Sequence, residues 1–148
     1  MILRELEAGD EEAFLRLLDE WDFLFGLLDE LGFEKYLLML QELKVSDTPT
    51  IALFGFVKGE IVGKVSIRQY PNPAGNLGYA VAEKYQRRGH GSELIQLAFG
   101  AARSMGMESL TLVTKESNTP SLKLILKNGG TLISTSEKNL EYRIVLKT

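Results

Sequence analysis

Residues 85–92 read Tyr85-Gln86-Arg87-Arg88-Gly89-His90-Gly91-Ser92. Two glycines lie two positions apart, directly behind two arginines. The β-prone segment from Leu77 to Val81 comes before them, and a helical apolar pattern running to Met105 comes after. The octapeptide is therefore a strand-to-helix turn. A helix start leaves its first N–H groups unpaired and carries about half a positive charge. Glycine lets that backbone approach a ligand closely, because no Cβ stands between them. Arg87 and Arg88 add charge and paired donors. Together these features suit an anion, phosphate above all. A plain turn with a solvated basic edge is the other reading of the same residues.

Outward from this turn, the chain alternates between two periods. Ile2 to Leu6 reads as a short strand. Asp10 is placed as an N-cap with Glu11 and Glu12 behind it, followed by a stripe of Phe14, Leu15, Leu17, Leu18 and Trp21. A second helix is expected from about Glu34 to Leu43, after Gly32, and the apolar stretch before it (residues 22–33) reads as helical or looped. Asp47-Thr48-Pro49 breaks the pattern. Ile51 to Val57 and Ile61 to Tyr70 are β-rich and flank Lys58-Gly59-Glu60, a hairpin signal. Pro71 to Gly75 is a loop. The helix from Gly89 to Met105 carries Leu94, Ala98, Ala101 and Met105 on one face, and Gly106 ends it. A strand (109–114), a helix (119–128) stopped by Gly129-Gly130, and two strands (131–136 and 140–146) complete a mixed α/β domain.

Composition narrows the chemistry. The 148 residues are one domain's worth, with 45% hydrophobic and 25% charged side chains. Cysteine is absent, which excludes disulfides, thiolate metal sites and a cysteine nucleophile. One histidine excludes a multi-histidine metal centre, and no metal is expected. A net charge of −3 does not support a nucleic-acid surface. No apolar run approaches the ~20 residues of a membrane span, and the acidic N-terminus lacks a signal-peptide pattern. A cytoplasmic protein is expected.

Two phosphate motifs do not fit. The Walker pattern needs four residues between its glycines and then Lys-Ser/Thr; here one residue separates them. The dinucleotide fingerprint needs a third glycine at the position of Leu94. Gln86-x-x-Gly89-x-Gly91 instead resembles the Q/R-x-x-G-x-G/A acyl-CoA signature of the GNAT superfamily of N-acetyltransferases. The resemblance extends through Leu77-Gly78-Tyr79-Ala80-Val81 ahead of it. It continues into Asn118-x-x-Ser121 and Lys127-x-Gly129 behind. The chain looks most similar to bacterial predicted acetyltransferases whose later segment ends Lys-Asn-Gly-Gly, as residues 127–130 do.

The resemblance implies a single GNAT domain over residues 1–148. Its fold would be α/β (α+β), a mixed, mostly antiparallel sheet of about seven strands flanked by helices. It implies acetyl-CoA as co-substrate and an amine-bearing acceptor attacked directly, without nucleic acid, membrane or metal, and is compatible with a homodimer. Cofactor contacts would come from Tyr79, Val81, Gln86, Arg87, Arg88, Gly89, His90, Gly91, Ser92, Asn118 and Ser121. A backbone N–H at Tyr79 would face the thioester carbonyl and stabilise the oxyanion. Asn118 also reads as a simple helix N-cap before Thr119-Pro120. One departure matters. Many members place a tyrosine seven residues after that asparagine to protonate the leaving thiolate, and here that position is Ile125. Either Tyr79, Tyr85 or water supplies the proton, or the thiolate leaves unassisted. No base is assigned: Asn76 can orient a water but cannot act as one, and His90 lies among the phosphate-site glycines, away from the thioester. Asp19, Glu20, Asp22, Asp29, Glu30 and Glu34 could draw in a cationic amine or form a solvated helix face. A non-catalytic acyl-CoA-binding domain and a nucleotide-binding regulatory domain are the alternatives.

Overall fold

The computed structural model describes residues 1–18, 22–71 and 73–146, the stretch 22–31 as backbone only. Seven strands form one sheet in the order β1-β2-β3-β4-β5-β7-β6. They are β1 Ile2–Arg4, β2 Thr50–Val57, β3 Glu60–Gln69, β4 Ala74–Val81, β5 Ser109–Lys115, β6 Thr131–Ser136 and β7 Asn139–Val145. The β4–β5 pair is parallel and the others are antiparallel. Four helices flank the sheet: α1 Glu11–Leu18, α2 Asp22–Lys44, α3 His90–Ser104 and α4 Thr119–Lys127. The fold class read from the sequence holds.

A core lies on each face. On one, Phe14 of α1 is the hub of an aromatic group. Its ring stacks on Tyr36 at 5.2 Å and meets Phe54 of β2 edge-on at 5.8 Å. On the other, α3 and α4 press Leu94, Ile95, Ala98 and Ile125 against Val65, Ile67, Leu77, Leu110 and Leu112. Burying one such side chain contributes about 1.5–3 kcal/mol, so β3 and β4 are held from both sides.

Several local expectations change. Asp10 does not cap α1. It closes the 3-10 turn Ala8–Asp10, accepting from the Glu7 N–H at 2.7 Å and pairing with Arg4 at 2.8 and 2.9 Å. That pair holds the Asp10 carboxyl below its ordinary range. Leu15 is half exposed, so the inward stripe of α1 is Ala13, Phe14, Leu17 and Leu18. β1 stops at Arg4, yet Leu6 still reaches the core from the loop behind it. Helix α2 takes in the stretch before Glu34, read from sequence as helical or looped. It breaks at Gly32, whose φ of 75° and ψ of 163° no helix accommodates. The inward face of α3 is Leu94, Ile95, Ala98, Phe99 and Ala102, rotated from the expected one; Met105 is already its C-cap. Asp19, Glu20 and Trp21 lie outside the described residues, and Glu34 is exposed. Among the described residues no helix is long and apolar enough to cross a membrane.

Tyr36 is buried with a hydroxyl that finds no partner among the described residues, and burial pushes its pKa up to about 12. An unpaired buried hydroxyl is destabilising. Tyr36→Phe is expected to raise stability by about 1 kcal/mol in urea unfolding. The advantage should widen above pH 10.0, the ordinary tyrosine value, because only the unfolded parent then ionises readily. A variant less stable than the parent would mean that the hydroxyl is satisfied.

Candidate functional site

The site begins where two strands part. β4 pairs with β5 only at Ala74↔Ser109, Gly75↔Leu110 and Asn76↔Thr111. Both strands run on, to Val81 and Lys115. The Asn76 amide donates to the carbonyl and the hydroxyl of Thr111, each at 3.2 Å, which fastens the last shared rung. Asn76 is thus engaged at the apex of the wedge rather than free to hold a water. On its other edge β4 stays paired with β3 up to Gly63↔Val81.

Main-chain direction along the free edge follows from the register. The Ala82 N–H bonds to Val62 O at 2.9 Å. Antiparallel rungs alternate between bonded and non-bonded pairs. Tyr79, opposite Val65, and Val81, opposite Gly63, therefore turn their N–H and C=O groups away from β3. They face the wedge. The Gln86 side chain confirms the direction by donating to Val81 O at 2.9 Å. That leaves the N–H groups of Tyr79 and Val81 and the Tyr79 carbonyl presented to the opening, as on any unpaired strand edge.

The wedge widens into a cleft of about 470 Å³. At one end stands the start of α3. Its N-cap is Gly89 at φ 84°, a left-handed conformation natural to glycine, and no side chain caps the helix. The first intrahelical bond at this end runs from Glu93 N–H to Gly89 O, so the N–H groups of residues 90–92 lack helical partners. Arg87 is also left-handed, at φ 64°, with Arg88 between at negative φ. Such alternation shapes backbone concavities for anions. A left-handed arginine also stores strain of the kind found at functional sites. A Cβ on Gly91 would lie 3.5 Å from Leu124 Cδ1 and 3.7 Å from Val81 Cγ2, between the walls.

Helix α4 forms the opposite wall. Asn118 caps it, its Oδ1 accepting from the Ser121 N–H at 3.3 Å, and Pro120 sits in the first turn. Ser121 Oγ accepts a hydrogen bond from the Tyr79 hydroxyl at 3.0 Å. Burial raises the Tyr79 pKa, and the bond to Ser121 partly opposes the rise.

Most of the sequence-derived residues converge here. Tyr79, Val81, Gln86 and Arg87 line the cleft with Gly89, Gly91, Ser92, Asn118 and Ser121. Arg88 and His90 do not; Arg88 is exposed, and His90 packs edge-on against Tyr85 at 6.1 Å. Ala80, Pro120 and Leu124 line it without having been singled out. For Leu124 the signal was present, since it lies three residues after Ser121 on the helix. Ile125, four residues after Ser121, is fully buried in the core and is not among the residues that line the cleft, although its sequence position suggested one beside the thioester. No aspartate, glutamate or histidine is among the lining residues described.

Residues 12–129 match the sequence profile of the Acetyltransferase (GNAT) family. Solved structures share the fold. The acetyltransferase of GNAT family from Streptococcus pneumoniae superposes with a TM-score of 0.74 at 20% identity, covering 99% of each chain. Ribosomal-protein-S5-alanine acetyltransferase from Vibrio fischeri gives 0.76 at 16%, over 97% of this chain and 92% of that one. PaiA N-acetyltransferase from Thermoplasma acidophilum, in complex with coenzyme A, gives 0.69 at 16%, over 97% and 98%. No curated protein matches the sequence.

The burial of Ile125 makes an outcome testable without any ligand. Ile125→Tyr adds a ring where there is no room, since the isoleucine is fully buried in the core. Overpacking of this kind costs about 1–3 kcal/mol, measurable as a lower urea midpoint. A tyrosine variant as stable as the parent would mean that position 125 opens to the cleft.

Proposed function

The chain belongs to the acetyltransferase (GNAT) family, and from that premise we propose that it transfers an acetyl group from acetyl-CoA to a primary amine by direct attack. One observation carries this reading: an anion-binding helix start and an unpaired strand edge open into the same cleft. A nucleoside diphosphate joined to a long amide-bearing arm fits that pair of features. The pyrophosphate would rest on the N–H groups of residues 90–92, with the Arg87 guanidinium beside it. The amides of the arm would pair with the exposed main chain of Tyr79 and Val81, as an added strand does. The Tyr79 N–H would then donate to the thioester carbonyl and stabilise the oxyanion as the amine attacks.

The lining offers no carboxylate or imidazole among the described residues. The acceptor ammonium would therefore give its proton to solvent before attack, and the rate should climb with pH toward the acceptor's own pKa. The same lack favours a second reading, an acyl-CoA-binding domain without turnover. Release of free thiol in the presence of an amine panel separates the two.

Calorimetry with acetyl-CoA, CoA and ATP tests the binding half. Acetyl-CoA and CoA should bind and ATP should bind less well. Gly91→Val should abolish CoA binding with the fold intact, because a first carbon is accommodated but the added methyls enter the cleft. Arg87→Ala should weaken CoA by about 1–2 kcal/mol, less in high salt, where the parent's contact is already screened. Arg88→Ala, outside the cleft, should do less. Parent-like affinity in Gly91→Val would contradict the assignment of the anion site.

A further inference from the structure

Among the described residues the Tyr79 phenol is the one hydroxyl-bearing ring in the cleft, and its bond to Ser121 spans the two walls, β4 to α4. Its place along the cleft is also defined. The anion end is formed by residues 86–92. Of the β4 residues lining the cleft, Tyr79 lies nearest the Asn76–Thr111 apex, the farthest from that end. A cofactor anchored by its phosphates puts its reacting end there. On the acetyl-transfer reading given above, we propose that the Tyr79 hydroxyl, positioned by Ser121, donates a hydrogen bond to the thioester sulfur and stabilises the thiolate as it leaves.

The step balances without further reagents. The amine nitrogen forms a bond to the carbonyl carbon, the carbon–sulfur bond breaks, and its electron pair stays on sulfur. The proton lost by the amine goes to solvent. Donation is the role for Tyr79 rather than proton transfer. A CoA-type thiol has a pKa of about 8.5 and an ordinary phenol about 10. Burial raises Tyr79 above its ordinary value. Moving its proton onto the thiolate would be uphill, whereas a hydrogen bond to the developing charge is favourable in a water-poor site. Hydroxyls rotate freely. When Tyr79 turns its hydrogen to sulfur, the Ser121 hydrogen can return to the Tyr79 oxygen, and the chain of two bonds polarises the phenol. Position 125 of α4 supplies no donor, since Ile125 is apolar and buried in the core.

A donor aimed at sulfur must also stabilise the thiolate of bound product, so the test needs no acceptor. The thiol of CoA is titrated by ultraviolet absorbance of the thiolate, free and bound to parent, Tyr79→Phe and Ser121→Ala. Among the described residues Arg87 is the one charged side chain lining the cleft, at the phosphate end, and is common to all three proteins. No carboxylate faces Tyr79 from the lining of β4, α3 or α4 among the described residues. The parent should depress the thiol pKa by about one unit, a factor of about ten in thiolate. Tyr79→Phe, at saturating CoA, should return it to the value of an enzyme-bound thiol without a donor. Ser121→Ala should fall between. Equal thiol pKa in parent and Tyr79→Phe, with CoA bound by both, overturns the assignment of Tyr79 and leaves acetyl transfer standing. Absence of CoA binding by the parent overturns the transfer reading and this inference together.

Discussion

The parting of β4 from β5 after the Asn76–Thr111 rung is the constraint on which the rest of the structure depends. A parallel pair that stayed zipped to Val81 would have no free edge and no cleft. The wedge needs a closed apex and rigid walls. The apex is fastened by the Asn76 side chain, which bonds Thr111 twice. β4 is kept straight by its unbroken pairing with β3. The cost of leaving an edge unpaired is lessened at one point, where Gln86 satisfies the Val81 carbonyl. The remaining main-chain groups at Tyr79 and Val81 stay available, which is what a binding edge requires.

Both faces of the sheet contribute to that rigidity. Leu77 anchors β4 in the α3 side of the core, with Leu94, Ile95 and Ala98 beneath it. Ala80 and Ala82 pack with the aromatic cluster around Phe14 on the opposite side. A strand gripped from both faces presents its edge without collapsing onto β5. Helix α3 is thus doubly employed. Its apolar stripe stabilises β3 and β4, and its uncapped start supplies the donors at the mouth of the same wedge.

Much of this was legible in the sequence because it is local. The Gly89-x-Gly91 spacing, the strand before it and the stripe after it specify a strand–turn–helix unit within a few residues. Asn118 was read as a cap, and it is one. What escaped was set at long range, by pairing or by packing. The Tyr79–Ser121 bond joins residues 42 apart, and neither residue type announces the other. The burial of Ile125 could not be read from its distance to Asn118 alone. The seven-residue step keeps it near the Asn118–Ser121 side of α4, and it is packing in the α3/α4 core that covers it. Asp10 looked like a cap because its type and place allow it, but Arg4, on β1, claims its carboxylate. Arg88 and Arg87 are indistinguishable as letters; the left-handed turn puts only Arg87 in the lining.

The central claim is that the open edge of β4 receives the amide-bearing arm of the cofactor, while the helix start receives its phosphates. Residue-resolved amide hydrogen exchange, with and without acetyl-CoA, tests it most directly. Exchange at Tyr79 and Val81, whose N–H groups face the wedge, should slow markedly on binding, together with residues 90–92. Their neighbours Gly78 and Ala80, already turned to β3, should change less. Protection confined to residues 86–92, with Tyr79 and Val81 exchanging as before, would contradict the account.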